Sequence, residues 1–264
     1  MNTVSFPGLG IELNINPVAI EIFGWSIYWY GIIIAAGLLT AVLVAVWDGK
    51  RAKLPSNAIE DVALLCIPAA IIGARLYYVV FKWTDYASNP LSILYIWEGG
   101  LAIYGAIITA VATAYIYCRI KKISWRKVFD IGAIGLLIGQ AVGRWGNFVN
   151  AEAYGSATNV PWRMEIREAG RMIAVHPTFL YESLWNFIGL IGLLLYRRNK
   201  KFDGEIFILY ITWYGLGRVW IEQLRADSLL IFGQKVSLLV AAMCVIIGVA
   251  FYFIEIKKKE KEKL

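Results

Sequence analysis

Seven apolar runs, each close to the roughly 20 residues a helix needs to cross a hydrocarbon core, account for most of the 264 residues. They lie near 26–46, 58–81, 99–118, 128–148, 178–196, 205–222 and 236–256, leaving short loops and one longer insert at 149–177. Hydrophobic residues make up 59% of the chain and the mean hydropathy is +0.60, too apolar for a fold surrounded by water. The chain reads as an all-α integral membrane protein, a single polytopic domain over residues 1–264 with seven transmembrane helices.

Basic residues orient it. Lys50, Arg51 and Lys53 follow the first run, Arg119, Lys121, Lys122, Arg126 and Lys127 the third, Arg197, Arg198, Lys200 and Lys201 the fifth, and five lysines the seventh. Those segments are expected on the cytoplasmic side. The first 25 residues hold no Lys or Arg and the loop after the second run has only Lys82. The N terminus is therefore expected outside and the C terminus inside, with 149–177 a small extracytoplasmic insert and 257–264 a basic cytoplasmic tail. Topology accounts for the net charge of +7, and nucleic-acid binding is not needed to explain it. The tail either stays solvated or touches anionic lipid.

Glu12 and Glu21 stand where a cleavable signal peptide would be basic, so the first run is expected to remain as a helix. Cys66, Cys118 and Cys244 each lie alone within a run, without metal-ligand spacing, and read as apolar filler. His176 is the only histidine, which excludes a His-based zinc site and argues against any catalytic metal. No cofactor is expected.

Lipid is a poor place for charge, so polar groups inside the runs mark function by default. The fourth run ends in Gly143-Arg144-Trp145-Gly146-Asn147-Phe148-Val149-Asn150-Ala151-Glu152-Ala153-Tyr154-Gly155. Arg144, Asn147 and Asn150 share one helix face if the helix continues that far. Gly132, Gly135, Gly139 and Gly143 form small-xxx-small steps, for helix packing or for the approach of a lipid. Tyr214, Arg218, Glu222 and Arg225 form a second polar stripe on the sixth run. Arg218 and Glu222 could be a structural pair, which would leave Tyr214 and Arg225 unexplained. Arg75, deep in the second run, is either a site residue or a partner for a carbonyl or carboxylate.

These arginines outnumber the carboxylates expected at their depth, Glu152 and Glu222. An anion is wanted, and the guanidinium fork suits phosphate, most naturally that of a phospholipid. Tyr28, Trp29, Tyr77, Tyr78, Trp83 and Trp97 read as interfacial aromatics, with Tyr30 a possible exception beside Gly31. Tyr104, just inside the third run, either donates to a ligand or anchors its helix. In the insert, alternating polarity over 162–166 and 171–175 predicts a hairpin outside the membrane with a Gly-containing turn. His176 is a base or a hairpin-docking residue; Tyr181 and Glu182 are polar in the first turns of the fifth run.

Gly143 to Gly155 resembles the signature of the bacterial phosphatidylglycerol-prolipoprotein diacylglyceryl transferases at every fixed position. Similar pieces follow in order along nearly the whole chain: Trp29-Tyr30-Gly31, Gly99-Gly100, His176-Pro177 through Leu180-Tyr181-Glu182, and Tyr214-Gly215 through Arg218, Glu222, Arg225 and Asp227. The resemblance implies seven helices with the N terminus outside, in a bacterial cell membrane. It also implies transfer of diacylglyceryl from phosphatidylglycerol to the lipobox cysteine of a prolipoprotein signal peptide, forming a thioether and releasing glycerol phosphate. By the same resemblance Tyr30, Arg144, Asn147, Glu152, Gly155, Tyr214, Arg218 and Arg225 are needed for activity. One position departs: many members carry histidine where this chain has Tyr104.

Under that reading Arg144 and Arg218 stabilise the cysteine thiolate and clamp the leaving phosphate. Glu152 and Glu222 orient them, and Glu152, Tyr104 or His176 takes the proton. Tyr30, Asn147, Asn150, Gly155, Tyr214, Glu222 and Arg225 are the expected substrate-binding residues. A transporter or channel for an anionic lipid or metabolite, with the arginines as a relay, is the alternative.

Overall fold

The computed structural model describes residues 1–168, 170–226, 230–231 and 233–261. In chain order they form strands β1 (Asn2–Phe6), β2 (Ile11–Ile15), β3 (Val18–Ile22) and β4 (Trp25–Tyr28), then helices α1 (Trp29–Arg51), α2 (Ala58–Phe81), α3 (Trp83–Tyr86), α4 (Ile103–Ile120) and α5 (Trp125–Asn150). Strands β5 (Met164–Glu168) and β6 (Arg171–Val175) follow, then α6 (Thr178–Tyr196), α7 (Glu205–Leu224), the short strands β7 (Leu230–Ile231) and β8 (Gln234–Lys235), and α8 (Val236–Lys261).

Among the described residues six helices are long and apolar enough to cross a membrane: α1, α2, α4, α5, α6 and α8. α7 has 20 residues but carries Glu205, Arg218 and Glu222, and is not one of the six. Leu39, Leu43, Ile72, Ile108, Ile246 and Phe253 are exposed on these helices, an arrangement that lipid tails accept and water penalises. The chain is a multi-pass membrane protein.

It divides into two compact units, Met1–Leu43 with Asp130–Leu264, and Val44–Phe129. In the second unit α2 and α4 meet at glycines: a Cβ on Gly105 would stand 2.3 Å from the Gly73 carbonyl oxygen, so only glycine permits this approach. Tyr117 Oη donates to Asp61 Oδ2 at 2.7 Å across the same pair. Arg75, 5% exposed, is caged by backbone carbonyls. It donates to Ile93 (2.8 Å), Ser92 (2.7 Å), Gly99 (2.7 Å), Gly100 (3.1 Å) and Tyr95 (3.4 Å). Gly99 and Gly100 reach this arrangement at φ of 89° and 70°, which side-chain-bearing residues rarely adopt. Of the two readings of Arg75, partnership with carbonyls is the one observed.

The first unit begins with a four-stranded antiparallel sheet in the order β2-β1-β5-β6. Alternation places Val4, Met164, Ile166 and Val175 on one face, where they are buried with Phe179, and Phe6, Ile15 and Phe148 pack around them. Phe148 of α5 and Phe179 of α6 stack at 4.6 Å, seating the sheet on two helix ends. Trp185 and Trp213 lock α6 to α7: each indole N–H donates to the other's carbonyl at 3.0 Å and the rings stack at 4.2 Å. A Cβ at Gly189 or Gly217 would stand 2.3 Å or 2.2 Å from the facing indole nitrogen. Asp130 of α5 caps α7, accepting from the Gly204 (2.9 Å) and Phe207 (3.0 Å) amides and from Lys200 Nζ (3.0 Å). Lys200, also bonded to Asp203, is held above its ordinary pKa by those two carboxylates, which outweigh its partial desolvation.

Several expectations change. The β5–β6 hairpin forms, but β1 and β2 extend it into a sheet, so the insert does not stand by itself and the fold is not purely α. The first helix starts at Trp29 because Trp25–Tyr28 pairs with β3. The third starts at Ile103 because Gly99 and Gly100 turn the chain first. The last continues through the basic segment to Lys261; the tail's residues 262–264, Asp227 and Ala169 of the hairpin turn lie outside the described residues. Of the α5 glycines, a Cβ on Gly135 or Gly143 would touch Ala41 or Ile34 of α1, whereas Gly132 and Gly139 face open space. Only half of that row packs against a helix.

Candidate functional site

Three guanidinium groups from different segments of the first unit converge on Glu182, in the first turns of α6. Arg144 Nη2 of α5 forms a short ion pair with Glu182 Oε2. Arg218 Nη1 of α7 and Arg225 Nη1 each lie 3.1 Å from Glu182 Oε1. Arg218 also reaches Glu222 Oε2 at 2.7 Å, though without hydrogen-bond alignment, and among the described residues neither oxygen of the buried Glu222 side chain has a hydrogen-bond partner. In these pairs three guanidinium groups share the carboxylates of Glu182 and Glu222. Arg144 is the most open of the three side chains, 24% exposed against 15% for Arg218 and 9% for Arg225, and is the one best placed to meet a ligand.

Local structure fixes each member. Ser183 Oγ, next to Glu182, donates to the Ala141 carbonyl at 2.9 Å and accepts from Trp145 Nε1 at 3.1 Å. Arg144 and Glu182 are thereby held in register. Arg225 lies one residue beyond α7 in extended conformation and forms a bridge with Gly155. Lys235 Nζ donates to the carbonyls of Glu222 (2.6 Å) and Arg225 (3.0 Å), closing the helix end with a cation as its dipole favours.

α5 does continue to Asn150, and Arg144 Nη1 donates to Asn147 Oδ1 at 3.2 Å. Asn147 Nδ2 in turn donates to Glu152 Oε1 at 2.9 Å. Glu152 is exposed and meets Arg144 at second hand through Asn147. Glu182 is the carboxylate that Arg144, Arg218 and Arg225 share. It was visible as an acid within an apolar run, but its partners lie 36 to 43 residues away and no spacing rule joins them.

Tyr30 packs its ring over Gly146, where a Cβ would come within 2.9 Å of it. Gly155 is sterically obligatory: a Cβ there would meet His176 at 2.6 Å and the Leu224 carbonyl oxygen at 2.9 Å. Its amide donates to the His176 carbonyl at 3.0 Å, and the Ser156 amide to that of Leu224 at 2.6 Å. Tyr214 lines, with Glu182, Trp185, Asn186, Gly217, Arg218 and Ile221, a cavity of about 10 Å³, room for about one water. His176 Nδ1 lies 3.3 Å from Tyr181 Oη, which also accepts from Trp162 Nε1 at 2.7 Å. Burial lowers the imidazole pKa below its ordinary value, which favours the uncharged ring. Tyr104, half-buried in the first turn of α4, belongs to the second unit.

The family described as prolipoprotein diacylglyceryl transferase matches residues 17–254. A phosphatidylglycerol–prolipoprotein diacylglyceryl transferase of Clostridioides difficile is 42% identical over 247 residues, covering 94% of this chain and 98% of its own. The protein of the same description from Finegoldia magna is 45% identical over 245 residues, 92% and 96% of the two chains. That of Lysinibacillus sphaericus is 42% identical over 265 residues, 95% and 96%.

Proposed function

The chain belongs to the prolipoprotein diacylglyceryl transferase family, and from that premise we propose that it moves the diacylglyceryl group of phosphatidylglycerol to the lipobox cysteine of a prolipoprotein signal peptide. The observation that carries this reading at the level of chemistry is the convergence of Arg144, Arg218 and Arg225 on one carboxylate, Glu182, with Arg144 the most open of the three. A phosphodiester monoanion suits such a gathering of guanidinium groups. In the transfer, sulfur attacks the glyceryl carbon that bears the phosphate, a C–S bond forms and the C–O bond breaks. The electron pair of that bond leaves on glycerol phosphate.

Arg144 and Arg218 supply the electrostatics. Positive potential stabilises the thiolate of a cysteine whose ordinary pKa is about 8.5, and the same groups meet the charge developing on the leaving oxygen. Glu182, with Glu222, orients the arginines. Asn147 fixes the Arg144 fork and holds Glu152 beside it. Glu152, Tyr104 and His176 are the alternatives for taking the thiol proton. Tyr30, Asn150, Gly155, Tyr214 and Arg225 complete the binding residues, Gly155 by holding the backbone that carries Arg225.

We read α7 as a seventh span, its charges satisfied by the cluster rather than exposed to lipid. The protein then sits in the bacterial cell membrane with its N terminus outside and its C terminus in the cytoplasm. Purified protein, radiolabelled phosphatidylglycerol and a lipobox peptide test the activity: label should appear on the peptide as a thioether. Movement of labelled lipid between vesicles without thioether would favour the transporter reading instead. Single-cysteine labelling from outside, in a background lacking Cys66, Cys118 and Cys244, tests the orientation: residue 168 should react and residue 199 should not.

A further inference from the structure

Glu182 occupies the point where an anion belongs. It is 5% exposed, and its two oxygens take guanidinium nitrogens from α5, from α7 and from the residue beyond α7. A carboxylate that only pinned one helix to another would need one such partner. Three forks aimed at one buried pair of oxygens is the arrangement that phosphate recognition uses. Glu222 forms an ion pair with Arg218.

We propose that Glu182 is an internal counter-ion that exchanges with phosphate, yielding the arginines to the incoming lipid and reclaiming them to expel the product. This rests on the transferase reading above. The substrate phosphate is a diester with one negative charge, whereas the released glycerol phosphate is a monoester carrying about 1.5 to 2 negative charges near pH 7. Arginines that hold a diester well would hold the monoester better and stall turnover at product release. A resident carboxylate already within reach of all three guanidiniums opposes that trap. Arg144, the most open of them, can turn toward a ligand while Glu182 stays tucked in α6.

The sign of one measurement separates exchange from scaffolding. Inhibition of thioether formation by added glycerol phosphate, and the KM for phosphatidylglycerol, are measured for wild type, Glu182→Gln and Glu182→Asp. Exchange predicts that Glu182→Gln binds glycerol phosphate about tenfold more tightly or better, the order of one charge-assisted contact, with a lower lipid KM and a lower kcat. Glu182→Asp, too short to reach all three arginines, should shift the same way by less, and it carries the test if the Gln variant does not fold. Inhibition constants unchanged or raised in the variants would overturn the proposal. A wild type that forms no thioether would count against the transferase reading alone, and calorimetric titration of glycerol phosphate would still decide the exchange.

Discussion

Arg75 and Arg144 are both arginines inside apolar helices, and their surroundings differ in kind. Arg75 is surrounded by neutral backbone carbonyls that take up its donors and add no charge. Arg144 belongs to a cluster of ion pairs in which three guanidinium groups meet at Glu182. The first arrangement is complete: it fixes the 92–100 segment onto α2 and has no use for a ligand. The second gathers ionic groups, and Arg144 is its most open arginine. Intramembrane charge alone does not distinguish structure from site; the kind of partner and the openness of the group do.

The largest effect is expected at the most open arginine of the cluster. Arg144→Lys keeps the charge and loses the planar fork that spans Glu182 and Asn147. Thioether formation should fall by about 100-fold or more while the protein still accumulates in the membrane. Activity within a few-fold of wild type would erase the distinction drawn from bidentate geometry.

A smaller loss is expected at Lys235, which carries no role in the sequence reading. Its ammonium satisfies the last carbonyls of α7 and so sets where Arg225 leaves the helix. Lys235→Met should lower kcat about tenfold, the value of hydrogen bonds from one charged donor, and Lys235→Arg should recover much of it. Equal loss in both variants would mean that the helix end is not what Lys235 controls.

What the sequence revealed follows from the range of the interactions involved. The bounds of α2 and α6, and the hairpin of β5 and β6, were legible because apolar length and period-two alternation are local. β1 and β2 were not: β1 sets Val4 opposite Ile166, a pairing that no local pattern announces. The signature singles out Arg144, Asn147 and Gly155, which the structure brings to the cluster or to the backbone that carries Arg225, whereas Glu182 reads as one more polar residue in a helix start. The cage around Arg75 was hidden because carbonyls belong to every residue, and only Gly99-Gly100 hinted at an unusual turn.

Tyr104 tests the comparison from the other unit. If arginine potential activates the thiol, the Tyr104 hydroxyl supports binding and need not accept the proton. Tyr104→Phe should then retain activity within about tenfold, because one neutral hydrogen bond is worth roughly 0.5–1.5 kcal/mol, and Tyr104→His should be tolerated. A loss beyond about a thousandfold between pH 6 and 9, with normal protein levels, would exceed what a lost hydrogen bond explains and make Tyr104 the proton acceptor.

The smallest effect on catalysis, and the sharpest contrast, comes from making the Arg144 change at Arg75. Lys at position 75 offers one ammonium with three donors, where the guanidinium now spans carbonyls from Ser92 to Gly100. Some of those buried acceptors lose their partner, at about 1–3 kcal/mol for each one stranded. Arg75→Lys should therefore lower the thermal midpoint in detergent and the amount of folded protein. The activity of each folded molecule, normalised by a folded-state assay, should stay within about threefold, below the 1.4 kcal/mol that a tenfold change represents. The two lysine variants thus separate along different axes, stability at one arginine and rate at the other. If Arg75→Lys instead abolished turnover at unchanged stability, a guanidinium satisfied by carbonyls would have to be counted with the site, and the kind of partner would no longer mark where the chemistry happens.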